Sequence, residues 1–142
     1  IRVPLILRHP KMDDLAGQTR DALVYLHDLM PTACEWTGAS LPDGVQGKSL
    51  APTFAGKPRE GHEKLFFEHV KGRAVRMGDW KLVAARGDPW ELYDLSTDRA
   101  ESNNLAQERP EKAAELEALW NEQLEAMRDL AARTLPKPKP KR

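Results

Sequence analysis

The chain has 142 residues, its 22 Lys and Arg are balanced by 22 Asp and Glu, and 40% of its residues are apolar. That length suffices for a domain that buries roughly two thirds of its unfolded surface. A formal charge of zero removes any global electrostatic argument for nucleic acid or an anionic membrane as partner. No apolar run is long enough for a transmembrane helix, no signal-peptide pattern is visible, and a single cysteine, Cys34, excludes an internal disulfide.

The opening residues, IRVPLIL, read as a short buried strand over Val3–Leu7, with Pro4 at a strand start or edge and Pro10 as its stop. A domain rarely opens on its own core strand, so this reading predicts further chain, a little or a lot, ahead of Ile1. Residues 11–20 are a polar loop. From Asp21 to Trp36, the residues Leu23, Leu26, Leu29, Met30, Ala33 and Cys34 fall near helical spacing. Pro31 requires either a kink or a place in a first helical turn. Asp28 fits the N-cap of a helix over 29–37 and Gly38 fits its stop, while 23–25 read equally as extended or helical. Cys34, among apolar neighbours on that helix, reads as inert packing. Residues 40–61, rich in Pro and Gly and without a period, read as a long surface loop.

The pattern then changes. KLFFEHV, RAVRM, WKLVAA and WELYDL are four strand candidates separated by turn signals, which predicts an antiparallel meander. Gly78-Asp79 suits a type II′ turn, with Gly at its first central position. Trp80, Leu82 and Ala84 should share one face, and Lys81 and Val83 the other. In the connector that follows, Asp94 and Asp98 are placed to accept nearby backbone amides. Pro110 starts a helix whose stripe of Leu116, Leu119, Trp120, Leu124, Met127 and Leu130 should pack on one face of the sheet. The fold class is α+β: a four-stranded antiparallel sheet packed by a C-terminal helix over 62–132, preceded over 1–61 by a strand, a helix and a long loop. The ending at 133–142 is a disordered basic tail.

Chemistry is sparse. Arg73, Arg76, Lys81 and Arg86 offer donor forks for a sulfate, phosphate or carboxylate, yet their spacing also fits a solvated sheet face. His69, beside Glu68, is a candidate acid-base or hydrogen-bonding residue at a strand end. His9, His27 and His62 share no ligand spacing, and Asp13-Asp14 alone does not make a calcium site. The acidic residues of the last helix read as a solvated face, and the tail's cations lack the aromatics of a nucleic-acid reader. With no phosphate-binding glycine loop and no nucleophile elbow, the residues hold no complete catalytic set.

Four stretches nevertheless resemble one family, the type I sulfatases of the alkaline phosphatase superfamily, and they do so in family order. IRVPLILRHP is similar to its (G)IRVPxIxRWP strand, and HDLMPTACEWTGASLPDGVQGKSL to its DLMPTLLDLAGxxLPDGxDGxSL segment. LFFEHVKGRAVRMGDWKLV resembles LFWEHEGNRAVRxGDWKLV, and WELYDLSTDRAESNNLA resembles ELYDLxxDPxExxNLA. The resemblance covers nearly all of 1–132 and implies the C-terminal part of an arylsulfatase-like enzyme. In such enzymes a cysteine converted to formylglycine attacks a sulfate ester, calcium neutralises the sulfate oxygens, and Lys and His side chains complete the chemistry. In the family the Asp-Asn metal pair and the active-site Lys lie upstream of the Arg-Val-Pro strand, so the resemblance puts them ahead of Ile1, and Cys34-Glu35-Trp36-Thr37 lacks the modification motif. For this chain it implies no catalytic residue, no metal ligand, and no calcium or formylglycine of its own. His69 and Arg73 become its expected contacts with the substrate beyond the sulfate. His9 stands where Trp is usual, Lys11 where Gly is common, Arg99 where Pro is usual, and Val70-Lys71-Gly72 replaces Glu-Gly-Asn. The partner is then an aryl or carbohydrate sulfate rather than nucleic acid or membrane, and a parent exported to the periplasm or beyond is in keeping with the family. Two other readings stay open: a phosphonate or phosphodiester hydrolase of the same superfamily, and a free-standing remnant with a binding or structural role.

Overall fold

The computed structural model describes residues 4–9, 12, 16–20 and 22–134. The chain divides into two compact units, Ile1–His62 and Glu63–Arg142. Val3, Pro10, Asp13, Asp14, Asp21 and the basic tail over 135–142 lie outside the described residues.

In the first unit, a 3₁₀ turn (Leu26–Asp28) leads into helix α1 (Leu29–Thr37), which ends at Gly38 in the left-handed region with its N–H on Cys34 O. These are the bounds expected from Asp28 and Gly38, and Pro31 sits in the first turn, where no N–H is needed. The buried face differs from the expected apolar stripe. Leu26, Leu29 and Met30 are exposed, and Pro31 and Thr32 are buried. Trp36, one turn after Thr32, packs its ring 5.7 Å from that of Phe54. Phe54 belongs to a short helix, α2 (Ala51–Phe54), inside the segment expected to be loop throughout. Four residues, one of them Pro52, are too few to show a period.

The strand expected at Val3–Leu7 is corrected by its described part. Pro4–His9 carries no strand, and Ile6 is 90% exposed. A strand exists through its hydrogen-bonded neighbours, and among the described residues none lies alongside it.

The second unit is the meander: β1 (Lys64–His69), β2 (Gly72–Met77), β3 (Trp80–Ala84) and β4 (Glu91–Asp94), antiparallel in the order β1-β2-β3-β4. Helix α3 (Pro110–Thr134) covers one face. The register pairs Phe66 with Val75, Val75 with Leu82 and Leu82 with Leu92, so one row of apolar residues crosses all four strands. Val75, Leu82, Leu92, Leu116 and Trp120 form the core. Each such side chain contributes about 1.5–3 kcal/mol by leaving water. Trp80 and Leu82 face α3 as alternation requires. The apolar stripe of α3 is used only in its first half. Leu116 and Trp120 are buried, whereas Met127 and Leu130 are exposed. At 1.5 Å per residue, 25 residues span about 37 Å, while four strands are about 15–20 Å across, so the helix overhangs.

The connector protects the last strand. Leu92 N donates to Asn104 Oδ1 and Leu92 O accepts from Leu105 N, which closes the edge of β4. Asp94 and Asp98 accept the Ser96, Ser102 and Asn103 amides, as expected. No helix among the described residues is long and apolar enough to cross a membrane.

The two hairpin turns contrast. At Gly78-Asp79 only the first central residue has positive φ, the type II′ pattern. At Val70-Lys71 both do, with φ of 47° and 72°, the type I′ pattern, and neither is glycine. A β-branched residue there is strained by about 1–2 kcal/mol. Val70→Asn should therefore raise the thermal midpoint of the chain, and Trp120→Ala should cost about 3–5 kcal/mol; unfolding followed by circular dichroism checks both.

Candidate functional site

Both residues nominated from sequence lie at the tip of the β1–β2 hairpin. His69 is the last residue of β1 and is exposed; it pairs with Gly72 across the turn. Arg73 pairs with Glu68 on one side and Ala84 on the other. Alternation puts Arg73 on the α3 face, with Val75 and Met77, and His69 on the opposite face, with Leu65 and Phe67. The structure therefore does not bring His69 and Arg73 together on one surface of the sheet.

Arg73 belongs to a different group. Val83 pairs with Glu91, so Trp90, one residue before β4, continues the row Glu68–Arg73–Ala84. Ala84 is small and buried, which leaves Arg73 free to lean across it. The guanidinium carbon lies 4.1 Å from the centre of the Trp90 ring, a cation–π contact. Trp90 is itself anchored. Its Nε1–H donates to Glu117 Oε1 at 2.9 Å, and its ring meets Trp120 edge-on at 6.2 Å. Arg73 Nε is buried and has no hydrogen-bond partner among the described residues.

The other hairpin cations do not converge with it. Lys81 Nζ donates to Glu101 Oε1 at 2.5 Å, from the other face. Arg76 Nε donates to Gly78 O, and its Nη2 lies 3.9 Å from Asp79. Nearby, Tyr93 O–H donates to Glu91 Oε2, and burial, then Glu91, pushes its hydroxyl up to about 12.

In the first unit, the structure reveals a polar centre that sequence reading missed. Asp28 sits at the N-cap position of α1 with helical φ and ψ, yet its carboxylate does not cap α1. It is fully buried, and each of its oxygens takes two donors. Oδ2 accepts from Tyr25 N at 3.0 Å and Arg59 Nη2 at 2.8 Å; Oδ1 accepts from Lys48 N at 2.9 Å and meets His62 Nε2 at 2.6 Å. Burial alone would raise the carboxyl, but hydrogen bonds from the Lys48 and Tyr25 amides and from His62, with the His62 charge, hold it below the usual carboxylate range. Arg59 also donates to the carbonyls of Ser49, Leu23 and Lys48. Thr32 Oγ1 donates to Asp28 O and accepts from Leu50 N. Gly47 completes the centre, because a Cβ there would lie 2.0 Å from His27 O. With all its lone pairs engaged, Asp28 has none left for a ligand, so this centre is architectural.

The described residues do not fit the cofactors implied for such an enzyme. Among them, no three His, Cys, Asp or Glu side chains gather in a way that holds a metal ion. Cys34 is half-buried on α1 with its Sγ 3.8 Å from Ser40 O, and the residues after it lack the modification motif.

Comparison with known proteins decides the family. Residues 1–130 match the C-terminal domain family of N-sulphoglucosamine sulphohydrolase. The chain belongs to that family. It corresponds to the C-terminal part of sulfatases of the alkaline phosphatase superfamily. An N-acetylglucosamine-6-O-sulfatase of Bacteroides thetaiotaomicron is 30% identical over 118 residues, covering 73% of this chain and 21% of that protein. The crystal structure of a sulfatase from the same species superposes with a TM-score of 0.62 at 31% identity, over 77% of this chain and 26% of that one. A third relative was solved in complex with its substrate D-glucosamine-2-N,6-O-disulfate; it matches with a TM-score of 0.56 at 26% identity, over 72% of this chain and 24% of that one. The chain thus spans about a quarter of the length of these relatives.

Removing Asp28 tests the polar centre. Asp28→Asn should destabilise the chain by about 3–5 kcal/mol, since it leaves Arg59 buried against a neutral amide. The pH dependence has a definite sign. A carboxyl held low in the folded state contributes fully above its unfolded value of about 3.9 and loses that contribution as the pH falls through the folded value. Denaturant melts between pH 7 and pH 2 should show the wild-type advantage over Asp28→Asn constant above about pH 4 and shrinking below it.

Proposed function

We propose that the protein to which this chain belongs hydrolyses the sulfate ester of a sugar, and that this chain supplies the subdomain contacting the substrate beyond the ester. The observation that carries this reading is the family match across residues 1–130. The sugar-sulfate substrates named for two of the relatives support a carbohydrate over a simple aryl group. The formylglycine nucleophile and the calcium ion of such a reaction fall to residues outside this chain.

Within the chain, the reading rests on two residues with different parts to play. His69, exposed at a tight hairpin tip, offers a ring nitrogen to a sugar hydroxyl. Arg73, set against Trp90, offers a fixed cation. Neither touches the scissile bond, so each acts on affinity and on the placing of the sugar ring. The one cysteine of the chain, Cys34, does not stand in the motif that would make it the nucleophile for the ester.

The test uses two proteins. The product of the complete reading frame should release sulfate from a glucosamine sulfate faster than it cleaves a phosphodiester or phosphonate ester; the opposite ranking would sink the sulfatase reading. In that protein His69→Ala should lower kcat/KM on the sugar sulfate about tenfold, with a larger loss there than on p-nitrophenyl sulfate. The 142-residue chain by itself should not cleave p-nitrophenyl sulfate above a heat-killed control, with or without added calcium.

A further inference from the structure

We infer that the open edge of the Arg73 guanidinium is a binding site for an oxyanion carried by the sugar: a carboxylate, or a sulfate other than the one cleaved. This rests on the reading of the parent protein as a sugar sulfatase and names the group that Arg73 recognises.

Arg73 lacks an acceptor for its guanidinium among the described residues. A guanidinium with a buried nitrogen ordinarily receives a carboxylate or a carbonyl, because an unanswered donor there is costly. Arg59 meets Asp28, Lys81 meets Glu101, and Arg76 reaches Gly78 O and lies near Asp79. Among the described residues Arg73 has no ion pair and no hydrogen bond, and its Nε is shut away from solvent. Its cross-strand neighbour on the same face, Glu68, is exposed and forms no ion pair with it.

Arg73 is also held in place. One face lies on Trp90, whose indole is fixed at its N–H by Glu117 and at its ring by Trp120. With one face stacked and Nε enclosed, the Nη1–Nη2 edge remains. Two parallel N–H donors on that edge match two oxygens of a carboxylate or sulfate. A flexible lysine on an open face would be ordinary surface. A stacked, oriented and unanswered arginine is pre-organised for a ligand, since its ordering cost is met before binding.

The experiment is a calorimetric titration of the 142-residue chain at low ionic strength with four probes. These are an unsulfated uronate disaccharide, glucosamine 6-sulfate, a neutral N-acetylglucosamine disaccharide and inorganic sulfate. The expected result is that the uronate, the sugar sulfate or both bind and the neutral sugar does not, and that Arg73→Gln weakens binding at least about tenfold. The probe that binds identifies carboxylate or sulfate as the source. Arg73→Lys should retain only part of the affinity, because it keeps the charge and loses the fork. Trp90→Phe should weaken binding by releasing the stack from Glu117; these two variants carry the test if Arg73→Gln does not fold. Unchanged binding in the Arg73 variants overturns the proposal. So does wild-type chain that binds none of the oxyanion sugars, or that binds inorganic sulfate as tightly as any of them. Sulfate release by the complete protein is read separately. Arg73-dependent binding without sulfate release would keep this site and reject the reaction.

Discussion

One buried carboxylate organises the first unit. Tyr25, Lys48, Arg59 and His62 lie at four separate places in the chain, and Asp28 draws a donor from each. Among the described residues before Glu63, the buried apolar side chains are few, chiefly Leu50 and Ala51, so hydrophobic burial does not set the geometry there. The aperiodic segment after Gly38 is instead held by direction. The Lys48 and Leu50 amides point at Asp28 and Thr32, and Arg59 gathers three carbonyls from two segments. A buried charge network of this kind is not an efficient source of stability. It does specify one arrangement, because only that arrangement satisfies all of its donors and acceptors together.

The second unit depends on the opposite means. Its order comes from the pleat, which sends alternate residues to opposite faces, and from one apolar row across four strands against Leu116 and Trp120. The connector after β4 serves this sheet twice. It closes the exposed edge through Asn104 and Leu105, and it carries Glu101 to Lys81 on the face away from α3. The signature residues of the hairpin are thereby sorted. Trp80 and Leu82 build the core side, Gly78 makes the turn, and Lys81 and Arg76 are answered locally.

Most of the second unit was legible in sequence because its signals are local: period-two alternation, Gly78-Asp79, Pro110, and the Asp94 and Asp98 turns. The first unit was legible only at its helix. The bounds of α1 follow from Asp28, Pro31 and Gly38, but the use of Asp28 does not. Its partners Arg59 and His62 are 31 and 34 residues away, and no period links them. Helix α2 was too short to register, and the apolar run at the start reads as a strand whether or not a neighbour is present to pair with it. The hairpin tip shows how little it takes to misplace a site. A turn one residue longer would pair position 69 with position 73 and put them on one face. With Val70 and Lys71 in the turn, Glu68 rather than His69 stands opposite Arg73, and the two nominated residues face apart.

That one-residue difference also bears on what the hairpin is for. Val70 and Lys71 hold a turn that Asn-Gly would make without strain, and the register they impose sends Arg73 inward to Trp90. A shift by one residue would turn the arginine to the opposite face of the sheet, away from the Trp90 ring. The register thus sets the cation against the ring, at the edge of the core. Ala84 is part of the same arrangement, since any larger side chain at that point in the row would stand between Arg73 and the ring. The stacking, the anchored indole and the missing acceptor are separate observations. They have one physical consequence in common, a fixed positive edge whose partner the described residues do not supply.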